Sequence, residues 1–197
     1  IFIDGQAGCG KTLFNPILSC FKNVENFNYS TEIENICALN FMNKIHNDSA
    51  ISMIKIQLDQ ILYEAMMSRR LNFRPTDLTS IFKSHKKEIY LKRLLSKGDE
   101  EIPEEIKKKS PILNLATHNL LPYSEPIFKT FRNKIFFIEI IRHPLYMLIQ
   151  QTLNHKNIMK RNGSARQFHV YISYGKYQIP HFFLGSEEEY LNCNAVE

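Results

Sequence analysis

Ile1-Phe-Ile-Asp4-Gly5-Gln-Ala-Gly8-Cys9-Gly10-Lys11-Thr12 is the stretch that decides the fold. Its apolar opening reads as a short buried strand that runs straight into the pattern G-x-x-x-x-G-K-[ST]. Gly5, Gly10, Lys11 and Thr12 meet that pattern, and Gly8 adds freedom between them. Glycines let consecutive backbone N–H groups turn inward around a phosphate, and the following helix presents its positive end to the charge. Lys11 adds a mobile point charge, and Thr12 a hydroxyl able to meet a metal or a phosphate oxygen. Leu13, Phe14, Ile17, Leu18 and Phe21 recur at helical spacing and predict an amphipathic helix over 11–22. A Gly-rich turn that merely contains a lysine is the alternative; the strand before and the helix after argue against it. The loop predicts a phosphorylated ligand.

The composition bounds what surrounds this loop. A chain of 197 residues with 44% apolar content is long enough for one domain with a real core. No run approaches the roughly 20 apolar residues of a membrane-spanning helix. Lys and Arg number 25 against 20 Asp and Glu, a mild excess that suits anionic ligands and is too diffuse for a nucleic-acid face. Cys9, Cys20, Cys37 and Cys193 have neither metal-ligand spacing nor a dense disulfide framework. Reduced thiols in a cytoplasmic setting, with no metal centre, are therefore expected. The chain opens on Ile1 inside its first strand and stops at Glu197 without a terminating pattern. We expect a single domain over 1–197 that is a fragment lacking its native termini.

Periodicity predicts the remaining elements. Val24–Tyr29 reads as a second strand, ending at Ser30-Thr31, a helix start with Glu34 placed as a capping-box acid. Helices are expected over 33–45 and from Asp48 to the pair Arg69-Arg70. The polar stretch 71–110 should hold short helices at Thr76–Lys83 and Lys86–Lys97, then a solvated one with i,i+4 pairs Glu104/Lys108 and Glu105/Lys109. Apolar runs Ile112–Ala116 and Ile135–Ile141 read as strands, and Pro144 suits the first turn of a helix over Leu145–Asn154. Gln167–Leu184 alternates around Gly175 and suggests a hairpin or irregular cap. Near-continuous apolar strands separated by helices give an α/β fold: three layers, α/β/α, about a central parallel sheet, with a helical insertion over about 48–110.

In such sheets ligands bind outside the carboxyl ends of the strands. Three of those ends carry chemistry: Gly5–Thr12, Thr117-His118 and Arg142-His143-Pro144. Each taken alone has an ordinary reading as a cap, a salt bridge or a solvent-facing side chain. Together, after separate strands of a phosphate-binding fold, they point to one site.

Thr117-His118-Asn119-Leu120-Leu121-Pro122, followed by an apolar strand that leads to Arg142-His143-Pro144 and a helix, resembles the sulfotransferases that use PAPS (3′-phosphoadenosine 5′-phosphosulfate). The resemblance covers the loop at 5–12 and the region 112–155. It implies a P-loop, sulfotransferase-like fold in which Gly5, Gly8, Cys9, Gly10, Lys11 and Thr12 hold the 5′-phosphosulfate. It also implies that Arg142 binds the 3′-phosphate and that His118 is the base for an acceptor hydroxyl or amine. Where the family carries a lysine or arginine this chain has Gly8, so Lys11 becomes the second catalytic candidate. Where the family has a serine sharing the 3′-phosphate, this chain has Gln150.

The acceptor, a small molecule, carbohydrate or lipid, is not legible; Arg69, Arg70, Arg74 and the aromatic tail read equally as its pocket or as surface and core. The competing reading is a P-loop kinase or NTPase using Mg-ATP. It needs an acid at the tip of an apolar strand, whereas Glu139 is read inside its strand and Asp4 on the wrong one; it stays open if Glu34 or another acid folds into place.

Overall fold

The computed structural model describes residues 1–96, 98–159 and 170–193. Strand β1 (Phe2–Asp4) enters the loop and helix α1 (Lys11–Ser19); β2 (Val24–Tyr29), α2 (Thr31–Phe41) and the long α3 (Asn47–Met66) follow. Helices α4 (Lys87–Leu95) and α5 (Ile102–Lys109) lead to β3 (Ile112–Ala116), α6 (Glu125–Phe131), β4 (Phe137–Glu139) and α7 (Pro144–Met159). A two-stranded antiparallel ribbon, β5 (Tyr171–Tyr174) with β6 (Tyr177–Pro180), and the short α8 (Glu187–Asn192) complete the described elements.

The central sheet has the order β2-β3-β1-β4, parallel throughout. Register pairs Tyr29 with Ala116, Ala116 with Ile3, and Asp4 with Glu139, so all four carboxyl ends reach the same edge. Successive strand residues point to opposite faces, and β3 shows what each face meets. Leu113 and Leu115 join a core with Phe2, Ile33 and Ile36 of α2, Ile54, Leu58 and Ile61 of α3, and Ile127 of α6. Asn114, between those leucines, reaches the other face, where its Nδ2 lies 3.2 Å from Ser19 Oγ and 3.4 Å from Asn15 O of α1. Helices therefore flank both faces of the parallel sheet.

The face α1 buries is the reverse of expectation. An amphipathic helix normally turns its apolar stripe inward, yet α1 buries Lys11, Asn15 and Ser19 and leaves Leu13 and Ile17 exposed at 73% and 57%. The polar stripe bonds mainly to backbone carbonyls, and Asn15 Oδ1 is left without a partner among the described residues. Asn15 Nδ2 donates to Lys11 O (3.0 Å), and Ser19 Oγ bonds Asn15 O (3.2 Å) and Glu25 O (3.3 Å).

Other differences have local causes. The strand expected over 135–141 is Phe137–Glu139, with Gly5 close over its end; a Cβ on Gly5 would lie 2.5 Å from Ile140 O. Thr76–Lys83 is a turn closed by a 3₁₀ segment at Ile81–Lys83, since the Asn72 amide bonds Asp77 and Thr79 and folds the chain back. Glu104 pairs with Lys107 instead of Lys108, while Glu105–Lys109 forms as expected. The hairpin around Gly175 is present; residues 167–169 of the expected tail lie outside the described residues. The described helices include none long and apolar enough to cross a membrane.

Ile54 is fully buried where α3 meets the sheet. Ile54→Ala should lower unfolding free energy in urea by about 3 kcal/mol, the usual cost of an isoleucine cavity; a loss under 1 kcal/mol would mean that α3 is not part of the core.

Candidate functional site

The site starts from a carboxylate with no solvent contact. Asp4, the last residue of β1, is 0% exposed. It accepts from Thr117 Oγ1 at 2.9 Å, Leu120 N at 2.7 Å and Leu121 N at 2.9 Å. The turn after β3, which carries His118, is thereby fixed to the residue that precedes the loop.

The loop is closed on itself. Gly10, the residue before α1, has φ +117°, and a side chain there would meet nothing within 4 Å. Leu13 N and Phe14 N both donate to Gly10 O, which leaves the Lys11 and Thr12 amides in the first turn, where a helix offers no internal acceptor. Lys11 is buried, its ammonium donating to Gly5 O and, at 2.9 Å, to Gln6 O, with Cys9 Sγ at 3.8 Å. Two carbonyls thus hold the charge that the sequence assigns to a ligand. From α7, Gln151 Nε2 donates to Ala7 O (2.8 Å), and Gln150 lies against Gly8, its Cγ 2.5 Å from where a Cβ would stand.

On the β3 side, Glu34 of α2 changes role. The expected capping box does not form: Ser30 makes no side-chain cap bond, and its Oγ has no hydrogen-bond partner among the described residues. The Glu34 carboxylate, only 8% exposed, turns to the next strand end, where His118 N donates to Oε1 (2.8 Å) and His118 Nδ1 lies 3.1 Å from the same oxygen. A neutral imidazole that donates through Nδ1 keeps its lone pair at Nε2 and is able to take a proton there. Tyr29 stacks on this ring, with centroids 5.5 Å apart and planes 8° apart, and its hydroxyl lies 3.1 Å from Thr12 Oγ1.

On the β4 side, Arg142 Nη1 donates to Gly8 O (3.1 Å), and its guanidinium lies over the Tyr146 ring at 5.7 Å. Glu139 is the last residue of β4, not an interior one, and stands in register beside Asp4. Burial, then the charge of Asp4 and a hydrogen bond to it, push its carboxyl up from 4.5 to about 7 against the opposing pull of Lys11. Glu139 and Arg142 face a cavity of 1140 Å³ with Gln6 and Cys9, and its far wall is apolar: Leu121, Leu145 and Phe182 among others. The aromatic tail reaches this wall. Arg69, Arg70 and Arg74 instead make ion pairs with Asp99, with Glu32 and Glu64, and with Asp77.

The strand-end residues of the sequence reading meet as one constellation around the loop, with Lys11 turned inward. By sequence, Asp4, Tyr29, Glu139 and Gln151 fall outside it, and Glu34 enters only as an acid for the kinase reading. Asp4 and Tyr29 carry a usable signal, their position at strand carboxyl ends; Glu139 is read inside its strand, and the helix-start spacing of Glu34 hides its contact with His118. Comparison with protein-family models, curated proteins and solved structures finds no match to this chain.

A carboxyl whose folded pKa is raised holds its proton longer in the native state, so stability falls as pH rises from about 4.5 to about 7. Glu139 is largely solvent-facing, and screening reduces the effect to about 1 kcal/mol. Glu139→Gln should remove that fall, giving a protein more stable than wild type at pH 8 and no better at pH 4.5. Parallel stability curves for the two proteins would show that Glu139 carries no such strain.

Proposed function

We propose that this protein is a sulfotransferase that moves a sulfuryl group from PAPS to a hydroxyl or amine of an acceptor. The observation that carries the reading is the adjacency of β3, β1 and β4, which sets the phosphate loop between His118 and Arg142. The residues present fit the donor. The Lys11 and Thr12 amides and the open space over Gly10 suit a 5′-phosphosulfate, and Arg142, exposed beside Gly8, suits a 3′-phosphate. Gln150 adjoins that loop position and takes the place of the family's serine.

PAPS supplies the activated sulfuryl group; the chain supplies alignment and charge. Lys11 leaves the Gly5 and Gln6 carbonyls to stabilise charge on the departing nucleotide. His118 takes the acceptor's proton at Nε2 while Glu34 holds Nδ1. As the acceptor oxygen or nitrogen attacked sulfur, its O–H or N–H proton would pass to His118, and the electron pair of the breaking S–O bond would leave on the nucleotide oxygen, where Lys11 would stabilise it.

A second reading, a small-molecule kinase using Mg-ATP, is favoured by Glu139, which occupies the strand-tip place that a magnesium-supporting acid needs. The two readings separate on ligand binding. At 100 times its Kd, 3′,5′-adenosine bisphosphate should add about 2.7 kcal/mol of stability without magnesium. Stabilisation by Mg-ATP alone would favour the kinase. Arg142→Ala should weaken the bisphosphate roughly 10- to 100-fold and leave adenosine 5′-monophosphate unaffected. His118→Ala should abolish turnover and spare bisphosphate binding; retained transfer would remove His118 from the role of base.

A further inference from the structure

Tyr29 touches both the start of α1 and the His118 ring. It is the last residue of β2, in register with Ala116, one residue before Thr117-His118. Its hydroxyl lies 3.1 Å from Thr12 Oγ1, its ring stacks on His118 at 5.5 Å, and Phe27 packs edge-on against it at 4.6 Å. Glu34 grips the His118 backbone N–H and Nδ1. The imidazole is therefore held along one edge by a carboxylate and across one face by a phenol that also touches the loop.

We propose that Tyr29 is a positioning residue that couples occupancy of the phosphate loop to the orientation of His118. The inference rests on the transfer reading of this site. In the pair Thr12–Tyr29 either hydroxyl is able to donate. An anion oxygen at Thr12 removes that choice. Thr12 has a single O–H; once it points at the anion, only its lone pairs remain for Tyr29, and the phenol must donate. The order becomes Tyr29 O–H to Thr12 Oγ1, then Thr12 O–H to the anion. A hydroxyl in the plane of its ring, committed to a fixed acceptor, limits how the ring can turn, and the imidazole stacked on it is limited with it. Filling the loop in this way orders the base on the neighbouring strand before an acceptor arrives.

Two substitutions separate the hydroxyl from the ring. Tyr29→Phe keeps the stack and loses the bond to Thr12; Tyr29→Leu loses both. Tyr29 is 42% exposed, so neither change empties the core. The loop probe is 3′,5′-adenosine bisphosphate, and the ring probe is the ¹⁵N spectrum of His118 with and without it. Tyr29→Phe should bind the bisphosphate at least as tightly as wild type, because no phenol competes for the Thr12 hydroxyl. Its ligand-free His118 spectrum should match wild type, and its response to ligand should be lost. Tyr29→Leu should shift the His118 signals without ligand and lose a further three- to ten-fold in kcat, the scale of one aromatic pair.

A retained His118 response to ligand in Tyr29→Phe, or unchanged His118 signals in Tyr29→Leu, would overturn the inference. Failure of wild type to bind the bisphosphate would instead sink the transfer reading. Inorganic pyrophosphate then serves as the loop probe, and the same two comparisons still decide the role of Tyr29.

Discussion

The buried carboxylate of Asp4 is the interaction on which the site depends. Three donors from the turn after β3 converge on it, and none of its surface reaches water. An ionised carboxylate is costly to bury unless hydrogen bonds replace its hydration, and charge-assisted bonds are among the strongest in a protein. Because Asp4 also precedes Gly5, the same atoms that make its burial tolerable fix where the loop leaves the sheet and where His118 stands. The loop and the His118 turn are held by one group.

That solution has an electrostatic consequence on the other side of β1. Register sets Glu139 beside Asp4. Burial, then the charge of Asp4 beside it and a hydrogen bond to it, raise the Glu139 carboxyl to about 7. Lys11 only partly offsets this, because its ammonium is drawn into the loop by the Gly5 and Gln6 carbonyls. The Lys11 ammonium is held by two carbonyls, while Arg142, bonded to the loop through Gly8 O, remains at the surface.

Much of the fold was legible because period and punctuation are local. Ile112–Ala116 is a strand with the bounds of its apolar run, Val24–Tyr29 one that ends at the expected helix start, and β3, β1 and β4, whose ends carry the three motifs, are neighbours in the sheet. What was not legible depends on contacts between segments far apart in sequence. Glu34 has the spacing of a capping acid, and only its approach to His118, 84 residues away, shows otherwise. Glu139 reads as an interior residue of an apolar run and is the last of β4, with Gly5 close over the strand end. Helix α1 misleads for a related reason. Its apolar residues mark an exposed stripe, because Asn114 on β3 supplies a polar partner for Asn15 and Ser19 that no helical periodicity reveals.

The claim that loop, His118 and Arg142 form one PAPS site is tested most directly by a crystal structure with 3′,5′-adenosine bisphosphate. The account predicts the 5′-phosphate on the Lys11 and Thr12 amides, the Lys11 ammonium turned from the Gly5 and Gln6 carbonyls toward it, and the 3′-phosphate on Arg142. A bisphosphate bound away from Arg142, or one whose phosphates are reached only through a magnesium ion on Glu139, would contradict it.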